Sequence, residues 1–320
     1  MNFKAYKLWQ KEYLQNNPDV FRADCLNPFI SMKYLIEDVE YKSQDISQLT
    51  LYRKWKMVEG IEIPSENLVL TRGVRHSLSK LFNLFSAETI YVPEDVYPRY
   101  FELAKKNRVK TFVTYPRVDW KTLEKVDNAV VLLTIPFTPM GKVLDDEIIS
   151  KIQGLLKHNN KVIIDSVYDY NLRENFQKLE VLFNAGTVFW LHSLSKTYLS
   201  PEVLGIVYCS FPTYPSYLEE AFDNYEIKDE VSYNNAYDIL DQVPNFPNLQ
   251  QKEFHKGFKH LTAETDLDVS KSKIAYFSVI EAPFEDLLKH NILGIPASAF
   301  GSQNKNLTIV SALFYLNDLV

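Results

Sequence analysis

The middle of this chain alternates short, almost purely apolar runs with amphipathic stretches, and that alternation limits the folds open to it. The runs Val130-Val131-Leu132-Leu133 and Val162-Ile163-Ile164 contain no polar position. A strand with one face in water alternates apolar and polar residues, so these runs belong to a sheet covered on both faces. Between them, residues 147–158 repeat apolar side chains at helical spacing. Further strand-like runs fall at 68–71, 89–92, 109–115, 129–135, 161–165, 187–192 and 203–209, with helical patterns at 74–85 and 97–106. Strands alternating with helices are the mark of βαβ units. The expected fold is α/β, with a mostly parallel sheet flanked by helices.

Beyond about Phe211 the texture changes. Residues 214–226, 231–240 and 249–264 read as helices, whereas 271–279 and 307–311 read as strands of a smaller sheet. The first forty residues are helical or irregular. The expected organisation is therefore a large domain over 41–212 and a smaller α+β domain built from both chain ends, 1–40 and 213–320.

Composition narrows the function classes. The net charge of −6 gives no basic face for a nucleic acid. The apolar runs are far too short to span a bilayer, and residues 1–13 have no apolar signal core. Cys25 and Cys209 form neither a metal-type spacing nor a disulfide framework, so no metal is expected and the cytoplasm is the default compartment. Glycine is scarce, at 9 residues, so those that remain should be ones the backbone requires.

Five short segments carry candidate chemistry. His192-Ser193-Leu194-Ser195-Lys196 follows an apolar run and places a lysine with two hydroxyls at a strand end. Partial desolvation there would lower the lysine pKa and make it a nucleophile, although a lysine in such a place is more often merely solvated. Val162 to Tyr168 ends an apolar strand in Asp165, with Tyr168 three residues on. Such an acid either caps a turn or pairs with a protonated ring nitrogen. Thr71-Arg72-Gly73-Val74-Arg75 joins a strand to a helix whose N-terminal amides offer a site for an anion. Tyr91 to Tyr100 holds Tyr97, which suits stacking on a planar ring as well as ordinary packing. Ile135-Pro136-Phe137-Thr138-Pro139-Met140-Gly141 is a Pro-rich turn after a strand.

In this order and at about this spacing, the five segments resemble those of fold-type I pyridoxal 5′-phosphate (PLP) aminotransferases of class I/II, most nearly the histidinol-phosphate aminotransferase branch. The likeness runs from about Leu68 to Tyr208. It implies the PLP-dependent transferase fold and PLP as cofactor. It implies that Lys196 forms the internal aldimine and shuttles the substrate proton, that Asp165 pairs with the pyridine nitrogen and that Tyr168 contacts the ring oxygen. Tyr97 would stack on the ring and Thr138 would stand where the family has a ring-binding Asn. Val74 and Arg75, with the amides after Gly73, would hold the phosphate together with Ser193 and Ser195. A small-molecule amino substrate and a homodimer are implied too, with Tyr41 near the place of a partner tyrosine.

The chain also departs from the family. No Arg follows the lysine in Ser200-Pro201-Glu202-Val203-Leu204-Gly205, which leaves Arg75 to supply phosphate charge. Thr308 stands where the family has a carboxylate-reading Arg, and a neutral Thr cannot replace a bidentate guanidinium. Arg22, Arg72 and Arg99 are the alternative cations. The same lysine and acid would also serve a PLP lyase, decarboxylase or cyclase, and a non-catalytic homologue is the reading from outside enzyme chemistry.

Overall fold

The computed structural model describes residues 1–42, 46–95, 97–138, 140–200, 204–210, 230–269 and 273–313, together with Leu218 and Phe222. Seven strands form the central sheet: β1 (Leu68–Thr71), β2 (Thr89–Pro93), β3 (Arg108–Phe112), β4 (Val130–Thr134), β5 (Lys161–Asp165), β6 (Val188–Ser193) and β7 (Gly205–Cys209). Their spatial order is β1-β7-β6-β5-β4-β2-β3. Pairings from β3 across to β6 are parallel, and β7 runs antiparallel to both β1 and β6.

The helices named below are α1 (Phe3–Asn16), α2 (Gln48–Glu59), α3 (Val74–Leu84), α4 (Arg99–Leu103), α5 (Asp146–Lys157), α6 (Leu172–Phe183), α7 (Leu194–Thr197), α8 (Glu230–Gln242) and α9 (Phe246–Thr265). The period-2 geometry of a strand sends alternate side chains to opposite faces. Val130 and Leu132 accordingly join the core beneath α3, with Leu78, Leu81 and Phe82. Val131 and Leu133 join the opposite core, with Ile148, Ile152 and Leu155 of α5 and Leu179 of α6. All five residues of β4 are buried, which accounts for the unbroken apolar run of its first four. Asp145 caps α5 by accepting the Ile148 amide at 2.8 Å.

One close approach fixes the mouth of this sheet. A Cβ added at Gly205 would lie 2.7 Å from both the Gly73 Cα and the Thr71 Oγ1, so the first residue of β7 must be glycine if the loop after β1 is to pass. Gly73 itself has φ 79° and starts α3.

A second, antiparallel sheet is built from β8 (Lys273–Ile274), β9 (Phe277–Ile280), β10 (Ile295–Pro296) and β11 (Thr308–Ser311), in the order β10-β11-β9-β8. The chain ends meet here. Phe21–Arg22 pairs with Ile292–Leu293, and the Ser311 amide donates to Ala23.

Three sequence expectations need correction. The strand expected over 271–279 is two strands, because Ala275 takes a positive φ of 51° and turns the chain between them. The helix expected over 97–106 is only Arg99–Leu103, since Pro98 starts it late and the chain turns off after Ala104. The strand expected over 109–115 stops at Phe112. The helix expected over 214–226 lies outside the described residues, apart from Leu218 and Phe222.

Candidate active site

The carboxyl ends of β4, β5 and β6 point toward the same side as the start of α3, which is where ligands gather in open parallel sheets. There a cavity of about 370 Å³ is lined by Val74, Arg75, Tyr97, Tyr100, Asp165, Tyr168, Ser193, Ser195 and Lys196, with Phe3, Leu26, Val167 and Phe300. Thr138 lines an adjoining recess that shares Tyr97, Tyr100, Asp165 and Tyr168. The sequence-selected residues thus come from five separate segments, four of which meet around this one space while Thr138 lines the recess beside it. Gly73 does not line it but sets the turn from which Val74 and Arg75 do.

Lys196 stands in the single turn of α7, directly after β6. Burial pushes its ammonium below the ordinary lysine value and nearby Arg75 adds to this, while Cys25 opposes. Its backbone carbonyl accepts from the Tyr170 hydroxyl and from the Gln250 amide, both at 3.0 Å, which pins the turn to the loop after β5 and to α9. The Ser193 and Ser195 hydroxyls lie 2.7 Å apart.

Asp165 ends β5 and is 2% exposed. Burial pushes its carboxyl up to about 6, against hydrogen bonds from the Tyr100 hydroxyl and the Val167 amide. The Val167 amide reaches Oδ1 at 3.0 Å and Tyr100 donates to Oδ2. Burial also pushes Tyr168 up to about 12, so its phenol keeps its proton. Tyr97 packs against Phe3 of α1 at 6.1 Å, edge to face, and α1 thereby walls the cavity.

Tyr100 is the site residue the sequence reading passed over. Its signal was the Tyr97-Pro98-Arg99-Tyr100 spacing, which puts a second tyrosine one helical turn from the first. That it would reach Asp165 depends on β2 and β5 both flanking β4.

The departures have physical counterparts. Thr308 is fully buried and its hydroxyl donates to the Ala282 carbonyl at 2.7 Å. Arg22 is paired with buried Asp24 at 2.6 Å, and exposed Arg99 pairs with Glu102. Arg75 and Lys196 are the two cations on the described walls of the cavity. Tyr41 is 47% exposed. Residues 201–203, within the stretch where the family has its Arg, lie outside the described residues.

No described helix is long and apolar enough to cross a membrane. Solved structures share the fold across almost the whole chain. Alanine aminotransferase from Pyrococcus furiosus superposes with a TM-score of 0.70 at 18% identity, covering 97% of this chain and 92% of that one. BacF from Bacillus subtilis gives 0.72 at 18% identity, covering 97% and 90%. Aspartate aminotransferase from Thermotoga maritima gives 0.68 at 15% identity, covering 99% and 93%. No curated protein sequence matches the chain. The model of the family "Aminotransferase class I and II" matches residues 43–309. With five sixths of its length matched, the chain belongs to the class I and II aminotransferases, and its cofactor is pyridoxal 5′-phosphate.

Proposed function

We propose that this aminotransferase holds PLP in the cavity between α3, β5 and α7 and transfers the amino group of a small molecule, with Lys196 as its catalytic lysine. The observation that carries the reading is that a half-buried lysine, a buried carboxyl, a cation and two hydroxyls face one another across a single space. That donor set fits the cofactor. Arg75, Ser193, Ser195 and the amide groups of Val74 and Arg75 suit a phosphate. Asp165 suits the ring nitrogen, Tyr168 and Thr138 the ring oxygen, and Tyr97 a ring face.

When bound, PLP supplies an electron sink for negative charge developing at the substrate Cα. The chain supplies the rest. Burial raises the neutral fraction of Lys196, so that its Nζ can take a proton from the substrate Cα and return it elsewhere. Asp165, as a carboxylate, keeps a proton on the ring nitrogen. Phe3, Leu26 and Phe300 exclude water from the reacting atoms. We also propose a homodimer, with the exposed Tyr41 on the subunit surface as a candidate contact.

The test is an absorbance spectrum of purified protein with PLP, for wild type and Lys196→Ala, followed by addition of amino acids and amines. Wild type should bind PLP with a shifted band that Lys196→Ala lacks, and a donor should convert bound PLP to pyridoxamine phosphate. A wild type indistinguishable from Lys196→Ala would overturn the role of Lys196. Release of CO2 or ammonia without pyridoxamine phosphate would move the reading to a PLP lyase or decarboxylase.

A further inference from the structure

His192 is the penultimate residue of β6, four residues before Lys196, and is completely buried. Its ring packs in a cluster with two indoles, Trp190 at 5.6 Å with planes 6° apart and Trp55 of α2 at 6.3 Å with planes 29° apart, and the two indoles are 6.2 Å from each other. Both ring nitrogens have partners. Nδ1 is 3.2 Å from the Ser166 carbonyl oxygen, and Nε2 is 3.3 Å from the Thr197 hydroxyl. A carbonyl only accepts, so the proton sits on Nδ1 and Nε2 is the acceptor. Thr197 shares its hydroxyl proton between Nε2 and the Ser193 carbonyl at 3.2 Å. Burial holds the imidazole at about 4, so it stays neutral and keeps this tautomer across the physiological range.

These partners are adjacent to the two groups that matter most in the site. Ser166 follows Asp165, and Thr197 follows Lys196. The imidazole is therefore a strut between the turn that carries the acid and the turn that carries the lysine. We propose that His192 is a positioning residue, which fixes the Lys196 turn relative to the Asp165 turn without touching substrate or cofactor. The proposal rests on the reading of Lys196 given above.

Reach is what makes such a strut matter. A lysine has four rotatable side-chain bonds, so its Nζ is placed only as well as its backbone is held. The Lys196 carbonyl is held by Tyr170 and Gln250, and the next residue is held through Thr197 to His192. Complete burial, with Trp190 and Trp55 packed beside it, leaves the imidazole little freedom to swing away, and this turns two ordinary hydrogen bonds into a fixed spacer.

Three variants test this in the PLP-loaded enzyme. His192→Phe keeps a ring packed beside the indoles and removes both hydrogen bonds. Thr197→Val removes one hydroxyl at constant shape, and Thr197→Ser restores it. The readouts are the visible circular dichroism of bound PLP and its release rate, neither of which requires a known substrate. His192→Phe and Thr197→Val should weaken the dichroic band and speed release about tenfold, the effect of one hydrogen bond of about 1.4 kcal/mol. Thr197→Ser should match wild type. If His192→Phe fails to fold, Thr197→Val against Thr197→Ser decides alone. Folded variants with an unchanged band and release rate would overturn the role of His192 and leave that of Lys196 standing. A wild type without any lysine-dependent PLP band would overturn both.

Discussion

At Asp165 two donors converge on one buried carboxyl, and they act against the burial that raises its pKa. The Val167 amide is a fixture of the turn, because Asp165 accepts it two residues along. Tyr100 is different, since it comes 65 residues earlier in the chain and brings a proton donor to the other oxygen. Removing that hydroxyl leaves the burial cost in place and takes away part of its compensation. Tyr100→Phe should therefore push Asp165 higher still, so that less of it is ionised at neutral pH to hold a proton on the cofactor ring. A hydrogen bond to a charged group contributes about 1.5–3 kcal/mol, so PLP affinity should fall about tenfold or more. The deficit should shrink as pH rises and Asp165 regains its charge. Fluorescence titration with PLP at two pH values checks both parts. Equal affinity at both would mean that Tyr100 only fills space.

Among the elements, α3 carries an electrostatic conflict that only an anion resolves. Its N-terminus bears the positive end of the helix dipole, yet Arg75, the second residue, adds a cation there. No acidic residue occupies the first turn. A phosphate placed against the Gly73 turn would meet amides and guanidinium together. Arg75→Ala should thus have opposite effects on the two states. Without PLP it should stabilise the protein slightly, by about 0.3–1 kcal/mol, by relieving the dipole clash. With PLP it should weaken binding about tenfold to a hundredfold. Thermal melts with and without PLP separate the two, and a loss of stability in both states would sink the idea. The same helix shows why the site was largely legible in the sequence. The Gly73, Tyr97, Asp165 and Lys196 segments each lie at a strand end, where local pattern alone fixes position. What the sequence could not carry was contact between segments: Tyr100 to Asp165, His192 to Ser166, and Gly205 against Gly73. Each depends on strand order, and no local periodicity encodes that. The smaller sheet was less legible for a related reason. Its strands are two to four residues long, and β8 and β9 are parted by two residues, the first of which, Ala275, is left-handed. Such short pieces hold their shape through packing, with little periodicity of their own.

Across the whole molecule, burial of titratable groups predicts how stability changes with pH in the cofactor-free protein. Burial is the largest cause in each case: Glu59 is pushed up to about 7, and Asp165 and Asp169 to about 6, each against a hydrogen bond that lowers it. A carboxyl whose pKa is raised on folding contributes stability that is fully present below its unfolded value. That contribution is lost as pH rises through the folded value. These three therefore favour the folded state at pH 5 and lose that effect by pH 8. His192 works the other way. Its folded value is depressed to about 4, so its contribution is present above the ordinary histidine value and lost as pH falls toward 4. Three carboxyls outweigh one imidazole, and the net gain from pH 8 to pH 5 should be on the order of 3 kcal/mol. Glu59 should supply the largest share, because its folded value is highest and its partner, the Tyr198 hydroxyl at 2.6 Å, is itself buried. Urea unfolding of the cofactor-free protein should give a higher midpoint at pH 5 than at pH 8. Glu59→Gln, which is neutral at every pH, should reduce that difference. Adding PLP should reduce it too, because a cofactor ring nitrogen that needs Asp165 ionised binds less well as that carboxyl takes up its proton. A midpoint that is flat from pH 5 to pH 8 in wild type would mean that these carboxyls are hydrated in solution, and that the interior behind Lys196 is more open to water than its packing indicates.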